Sequence, residues 1–181
     1  MMFEQLGLIG CGLMGGSFAL AMKRAGLVKR VVGYSKSPST TERARQLGVI
    51  DVEAPSALLA VSGADIVLLA VPVAATEATF KAIRHLVRPE VLIMDVGSTK
   101  REVIDAARRV LRDQVGVFVP AHPIAGKELA GVDHAVLQQG VRVPGLSATA
   151  LWGMVCCCRW QPAAAPMIRR GSLCLLGSLL P

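Results

Sequence analysis

Three glycines at fixed spacing, in Gly10-Cys11-Gly12-Leu13-Met14-Gly15, stand directly behind the apolar run Leu6-Gly7-Leu8-Ile9. The pattern is G-x-G-x-x-G, and the chemistry it suits is the cradling of a pyrophosphate. Gly10 allows a tight turn, Gly12 lets the backbone approach phosphate oxygens, and Gly15 lets the next helix pack closely on the strand. The residues that follow read as a helix, with Met14, Phe18, Ala21, Met22 and Ala25 on one face. The start of that helix offers free N–H groups and a partial positive charge to an anion. A glycine loop by itself is weak evidence of a site; the strand before it and the helix after it give it weight. Gly10, Gly12, Leu13, Met14 and Gly15 are therefore the expected phosphate-binding set of a dinucleotide site.

The other end of such a ligand is read about twenty residues further on, where an acidic residue closing the second strand binds the ribose diol of NAD. Here that place holds Ser35, in Gly33-Tyr34-Ser35-Lys36-Ser37-Pro38, with no carboxylate. A carboxylate would repel a 2′-phosphate, whereas a hydroxyl and a cation receive one. Ser35 and Lys36, with Ser37, Thr40 and Arg43 near, favour NADP over strict NAD and leave dual use open. The plainer reading of Lys36 is a solvated turn lysine.

Alternating elements must carry these loops. A strand over about Glu4 to Ile9 leads into a helix over about Leu13 to Ala25, which Gly26 ends as a C-cap glycine would. Val31-Val32-Gly33-Tyr34 is the second strand. Ser39-Thr40-Thr41-Glu42 has the form of a capping box and predicts a helix up to Leu47-Gly48. A short strand over Val49 to Val52 and a short helix over Pro55 to Val61 follow. The unbroken apolar run Ile66 to Val71 is that of a strand buried on both faces, as in parallel sheets. Pro72 ends it, and a helix over Ala74 to Val87 turns Ala75, Thr79, Ala82, Ile83 and Leu86 inward. Val91 to Val96 is another buried strand. Thr99-Lys100-Arg101-Glu102 is a second capping box, opening a helix with Val103, Ile104, Ala107, Val110 and Leu111 on one stripe. Val115 to Val119 is a last strand, ending at Pro120-Ala121-His122-Pro123. Regular alternation of strand and helix predicts an α/β fold with a doubly wound, mostly parallel sheet of the Rossmann-like kind. Ligands in such sheets bind beyond the C-terminal ends of the strands. That edge gathers Gly10–Gly15, Val71-Pro72, Asp95-Val96-Gly97-Ser98 and His122, so Val71 and Pro72 join the expected cofactor-binding set.

Composition narrows the function classes. The 181 residues include 20 basic and 13 acidic side chains, for a net charge of +7. Residues 136–181 hold Arg142, Arg159, Arg169 and Arg170 and no acid, so four of the seven charges lie there. No basic helix face interleaved with aromatics appears, so nucleic acid is not an expected partner. The five cysteines form no CxxC pair and no Cys/His spacing, so no metal is expected. Met14 and Met22 read as core fillers, and His85 and His134 as surface residues. No run reaches the ~18 apolar residues of a membrane span. Glu4 and the glycine loop interrupt the N-terminal apolar stretch, which lacks the layout of a signal peptide. A cytoplasmic protein without membrane contact is expected.

The stretches Asp95-Val96-Gly97-Ser98-Thr99-Lys100 and His122-Pro123-Ile124-Ala125-Gly126-Lys127-Glu128-Leu129-Ala130-Gly131-Val132 resemble the prephenate/arogenate dehydrogenase family of tyrosine biosynthesis. The resemblance runs from about Phe3 to about Ala135, and the second stretch is its most specific part. It implies that His122 accepts the proton of the substrate's ring hydroxyl and that Ser98 hydrogen-bonds both groups. It also implies that Lys127 and Glu128 line the substrate pocket. An imidazole near its unperturbed pKa of ~6.5 is mostly neutral at pH 7 and can take that proton. The implied reaction passes hydride to NADP or NAD while the ring carboxylate leaves as CO₂. Read without the resemblance, His122 is a structural strand-end histidine, Ser98 an N-cap, and Lys127 and Glu128 surface charges.

In the family a mostly helical domain follows, which dimerises and supplies an arginine for a substrate carboxylate. Here residues 136–181 contain no Asp, Glu or Lys, and include Cys156-Cys157-Cys158-Arg159-Trp160. Their apolar residues follow neither helix nor strand period. The expected organisation is therefore a dinucleotide-binding domain over 1–135 and an atypical tail over 136–181. A reading-frame change near residue 136 is the expected cause of the break, and a natural short protein with an apolar tail is the competing reading. The tail is expected to be poorly ordered, and the family's dimerising domain to be missing.

Overall fold

The computed structural model describes residues 3–121 and 132–134. Six parallel strands form one sheet: β1 (Phe3–Ile9), β2 (Val28–Tyr34), β3 (Val52–Glu53), β4 (Ile66–Leu69), β5 (Leu92–Asp95) and β6 (Phe118–Val119), in the order β3-β2-β1-β4-β5-β6. The helices between them are α1 (Leu13–Arg24), α2 (Pro38–Gln46), α3 (Ala57–Val61), α4 (Val73–Ile83) and α5 (Lys100–Leu111). The order grows outward from β1 in one direction through β3, then restarts on the other side with β4. The two windings part between β1 and β4, the point beyond whose carboxyl ends open sheets of this kind hold their ligands.

The doubly wound parallel sheet is thus as the alternation predicts, and the physical reason is the apolar continuity of its strands. All four residues of β4 are buried. Leu6, Leu8, Ile66, Leu68 and Met94 face one core, with Phe18, Ala19 and Met22 of α1 and Ala44 of α2. Ile9, Val67, Leu69 and Ile93 face the other, with Phe80 and Ile83 of α4 and Val103, Ala107 and Val110 of α5. Each fully buried Leu, Ile or Val contributes ~1.5–3 kcal/mol relative to exposure, so a strand covered on both faces is bound firmly by its neighbours. Helix α1 stops in a Schellman closure: Gly26, at positive φ, donates to Lys23 O and Leu27 donates to Met22 O.

Several boundaries differ from expectation. Neither capping box forms. Pro38 occupies the first helical position of α2, so Ser37 is the cap and Ser39 to Glu42 lie inside the helix. Thr99 caps α5 without a side-chain bond. Val49 and Ile50 do not pair in the sheet, because their amides donate to Ala44 O at the end of α2. Only Val52 and Glu53 align with Val32 and Gly33 of β2. The short helix starts at Ala57, not Pro55, with the Ser56 hydroxyl accepting from Leu59 N. Helix α4 ends at Ile83 and turns Thr76, Phe80 and Ile83 inward, leaving Ala82 exposed. The small alanines carried no period, and the one large ring sets the face. Ala25 is exposed and Met14 half-buried, while Met22 is buried as expected. Residues 112–117 form a 3-10 turn, so the last strand is only Phe118–Val119.

Candidate functional site

The carboxyl edge is assembled strand by strand. Gly10 donates to Tyr34 O at 2.8 Å, tying the end of β1 to the end of β2, and Ala70 donates to Ile9 O at 2.8 Å, tying β4 to β1. Gly10 has φ +99, and a Cβ there would lie 2.2 Å from Ala70 O. No L side chain is compatible with that turn. A Cβ on Gly15 would lie 2.1 Å from Gly10 O, so α1 sits as close to the strand end as backbone allows. Gly12 is different: a Cβ there would meet nothing within 4 Å. It is the N-cap of α1 and offers no side-chain bond to the helix amides. The loop thus leaves open room at the positive end of a helix, which is the cradle that a pyrophosphate requires.

The expected cofactor residues are brought to this edge. Gly10, Gly12, Leu13, Met14 and Gly15 make the loop and first turn of α1. Val71, half-buried, and Pro72, exposed, follow β4. Ser35 and Lys36 follow β2 and line a cleft of about 470 Å³ with Tyr34, Pro38, Thr41 and Glu53. Of the further residues expected near a 2′-phosphate, Arg43 is instead engaged by Asp133 at 2.5 Å, and the Ser37 hydroxyl bonds that of Ser39 at 2.9 Å.

Asp95 organises the other half of the edge. It ends β5 and is buried. Its Oδ1 accepts from Ala121 N at 3.2 Å, its Oδ2 accepts from Gly97 N at 2.8 Å, and the Lys100 ammonium also bonds Oδ2. A buried carboxylate is stable only when so partnered. This one joins the end of β6 to the turn bearing Ser98 and to the start of α5. A Cβ on Gly97 would lie 3.8 Å from Val73 Cγ2, so the same turn abuts the start of α4 beside Pro72. Ser98 is exposed on that turn, and Thr99, not Ser98, is the helix cap. His122, Lys127 and Glu128 lie outside the described residues, as does the tail over 136–181.

Two features escaped the sequence. Glu53 joins the Ser35–Lys36 cleft; the strand was expected at Val49 to Val52, which left Glu53 off the sheet edge. Cys11, inside the loop, is fully buried, and burial, with the negative charge of Glu53 adding to it, pushes its thiol up to about 12. It is therefore an inert packing group rather than a nucleophile. Among the described residues no cluster of three or more His, Cys, Asp or Glu side chains could hold a metal ion, and no helix is long and apolar enough to cross a membrane.

Fold and loop together define a doubly wound nucleotide-binding domain of Rossmann type. The chain belongs to the family described as prephenate dehydrogenase, nucleotide-binding domain, whose family model matches residues 18–139. It is 42% identical over 126 residues to the prephenate dehydrogenase of Bacillus subtilis (strain 168), covering 69% of this chain and 34% of that protein. It is 37% identical over 131 residues to the cyclohexadienyl dehydrogenase of Zymomonas mobilis subsp. mobilis, covering 72% and 44%. A crystal structure of prephenate dehydrogenase from A. aeolicus, in complex with hydroxyphenyl propionate and NAD+, superposes with a TM-score of 0.68 at 30% identity, covering 75% of this chain and 47% of that one. The chain thus spans between about a third and under half of the length of these relatives.

Proposed function

We propose that this chain is the cofactor-binding part of a cytoplasmic dehydrogenase of tyrosine biosynthesis, which oxidatively decarboxylates prephenate or arogenate with NAD or NADP. The observation that carries the reading is the open room over Gly12 at the head of α1, between the ends of β1 and β4. Gly10, Gly12, Leu13, Met14 and Gly15 would hold the pyrophosphate, Ser35 and Lys36 the adenosine ribose, and Val71 and Pro72 the middle of the dinucleotide. A bound nicotinamide supplies the hydride acceptor.

The chain's own residues do the rest. His122 follows Ala121, whose amide Asp95 holds. In its neutral form its imidazole accepts the ring hydroxyl proton. Ser98 hydrogen-bonds the hydroxyl and the imidazole, and Lys127 and Glu128 line the substrate pocket. As the proton leaves, the ring hydride and the carboxylate, as CO₂, leave the substrate, and aromatisation makes the step effectively irreversible. Alignment of hydroxyl and hydride is the work asked of the site. In this reading residues 1–135 form the domain, and 136–181 derive from a reading-frame change. Sequencing the coding DNA tests that point: an alternative frame should encode a helical, arginine-bearing continuation. A homodimer, where one forms, would rest on residues beyond that domain.

A second reading is a dinucleotide-binding module without turnover, in keeping with a family match to a nucleotide-binding domain. Titration with NAD+ and NADP+, followed by an absorbance assay with prephenate and with arogenate, separates the two. Binding with reduction supports the first reading, which then requires His122→Asn to lower the rate by ~10²–10⁴-fold. Binding without reduction supports the second, and a chain indifferent to both dinucleotides refutes both.

A further inference from the structure

We infer that Glu53 decides which nicotinamide dinucleotide this site takes: its carboxylate opposes the 2′-phosphate that Ser35 and Lys36 would receive, and Arg45 moderates that opposition. The inference rests on the dinucleotide reading above and adds a residue to it. Nothing in the chain around Ser35 announces this role, because Glu53 arrives from a different strand. Sheet register delivers it: Glu53 is the partner of Gly33, two residues before Ser35, and Ala54 donates to Gly33 O at 2.8 Å. Glu53 and Lys36 consequently line one cleft at the end of β2.

The charges around that cleft are few. Among the described residues Lys36 makes no ion pair, and it is exposed. Arg43 is engaged by Asp133. Arg45 lies 3.3 Å from Glu53 Oε1, and the two line a second concavity with Glu42 and Gln46, whereas the Ser35–Lys36 cleft is lined by Glu53 without Arg45. One cation and one carboxylate, itself paired with Arg45, therefore act on whatever occupies the ribose 2′ position. The field of Glu53 reaches the phosphate loop as well, since its charge adds to the upward shift of the buried Cys11 thiol. A like charge several ångströms from a phosphate weakens its binding, and hydroxyl groups at the same position are indifferent or accept-and-donate partners.

The test is a fluorescence titration of the full 181-residue chain with NAD+ and with NADP+, for the unaltered protein, Glu53→Gln, Arg45→Met and the double variant. Circular dichroism melts establish that each is folded. Glu53→Gln should tighten NADP+ by roughly three- to tenfold with NAD+ changed by less than about twofold. Arg45→Met should weaken NADP+, because the carboxylate is then uncompensated. The double variant should return to the affinity of Glu53→Gln. A purely structural role for the pair would move both cofactors together in both single variants, and that result overturns the inference. So does an NADP+/NAD+ ratio unchanged by Glu53→Gln, or an Arg45→Met effect that persists without Glu53, which would mean that Arg45 meets the phosphate itself. Those outcomes leave dinucleotide binding standing; failure of the unaltered chain to bind either cofactor removes the reading and the inference together.

Discussion

Gly12 and Gly15 are the same residue type retained for opposite physical reasons. At Gly15 a side chain has nowhere to go, since the β-carbon would overlap Gly10 O at 2.1 Å. At Gly12 it has ample room, because beyond its own chain neighbours nothing lies within 4 Å of a β-carbon there. The backbone at Gly12, with φ −77 and ψ −164, is open to any residue. Gly12→Val should therefore cost only the ~1 kcal/mol of an apolar residue at a helix N-cap while filling the space for the pyrophosphate. Gly15→Val should unfold or strongly destabilise the domain. Urea melts and cofactor titration on both variants check the pair: equal losses of stability would refute the distinction. The motif already gave the two glycines separate tasks, phosphate approach and helix packing; the empty volume beside one and the blocked volume beside the other came only with the structure.

Among the elements, α4 and α5 are joined on their solvent side by Glu77. Its carboxylate meets Arg109 of α5 at 2.7 Å and Lys81 of its own helix at 2.9 Å. Hydrogen bonds from Lys81 and Arg109, and their charges, hold its pKa down from 4.5 to about 2. A depressed carboxylate pKa stabilises the native state at pH values above the unfolded pKa, and the gain is lost as pH falls through the folded one. Glu77→Gln should thus be less stable than the unaltered chain at pH 6. The difference should shrink as pH drops from about 4.5 to about 2, and it should also shrink in 1 M salt because the pair is exposed. Thermal melts across that range measure it, and a difference that stays constant with pH would exclude the ion pair as its cause. Helix α5 was legible in the sequence through its apolar stripe, and α4 through its start behind Pro72, although not its inward face or its end. The pairing of Glu77 with Arg109 was not, since residues 32 apart share no local pattern.

Over the whole molecule the sheet separates two cores, and Phe80 anchors one of them. Its ring packs edge-on against Phe118, with centroids 5.3 Å apart and planes at 86°, joining α4 to the last described strand of the sheet. Phe80→Ala should cost ~3–5 kcal/mol, a large part of the ~5–15 kcal/mol that holds a domain folded. The urea midpoint should fall with an unchanged m value if the domain unfolds as one unit; a second transition would show instead that the two cores melt separately.

The sequence by itself determined the parallel sheet, because buried strands must be apolar throughout and their connections must be helices. It determined the glycine loop as well, since tight turns and close approaches exclude side chains wherever they occur. Tertiary structure decided which groups share the site. Asp95 bonds Ala121 and Lys100, Glu53 comes to lie beside Ser35 and Lys36, and Cys11 is shut away from solvent. Lys100 is five residues from Asp95, but Ala121 and Glu53 follow or end other strands, and only the register of one strand against the next brings them within range of hydrogen bonds and charge.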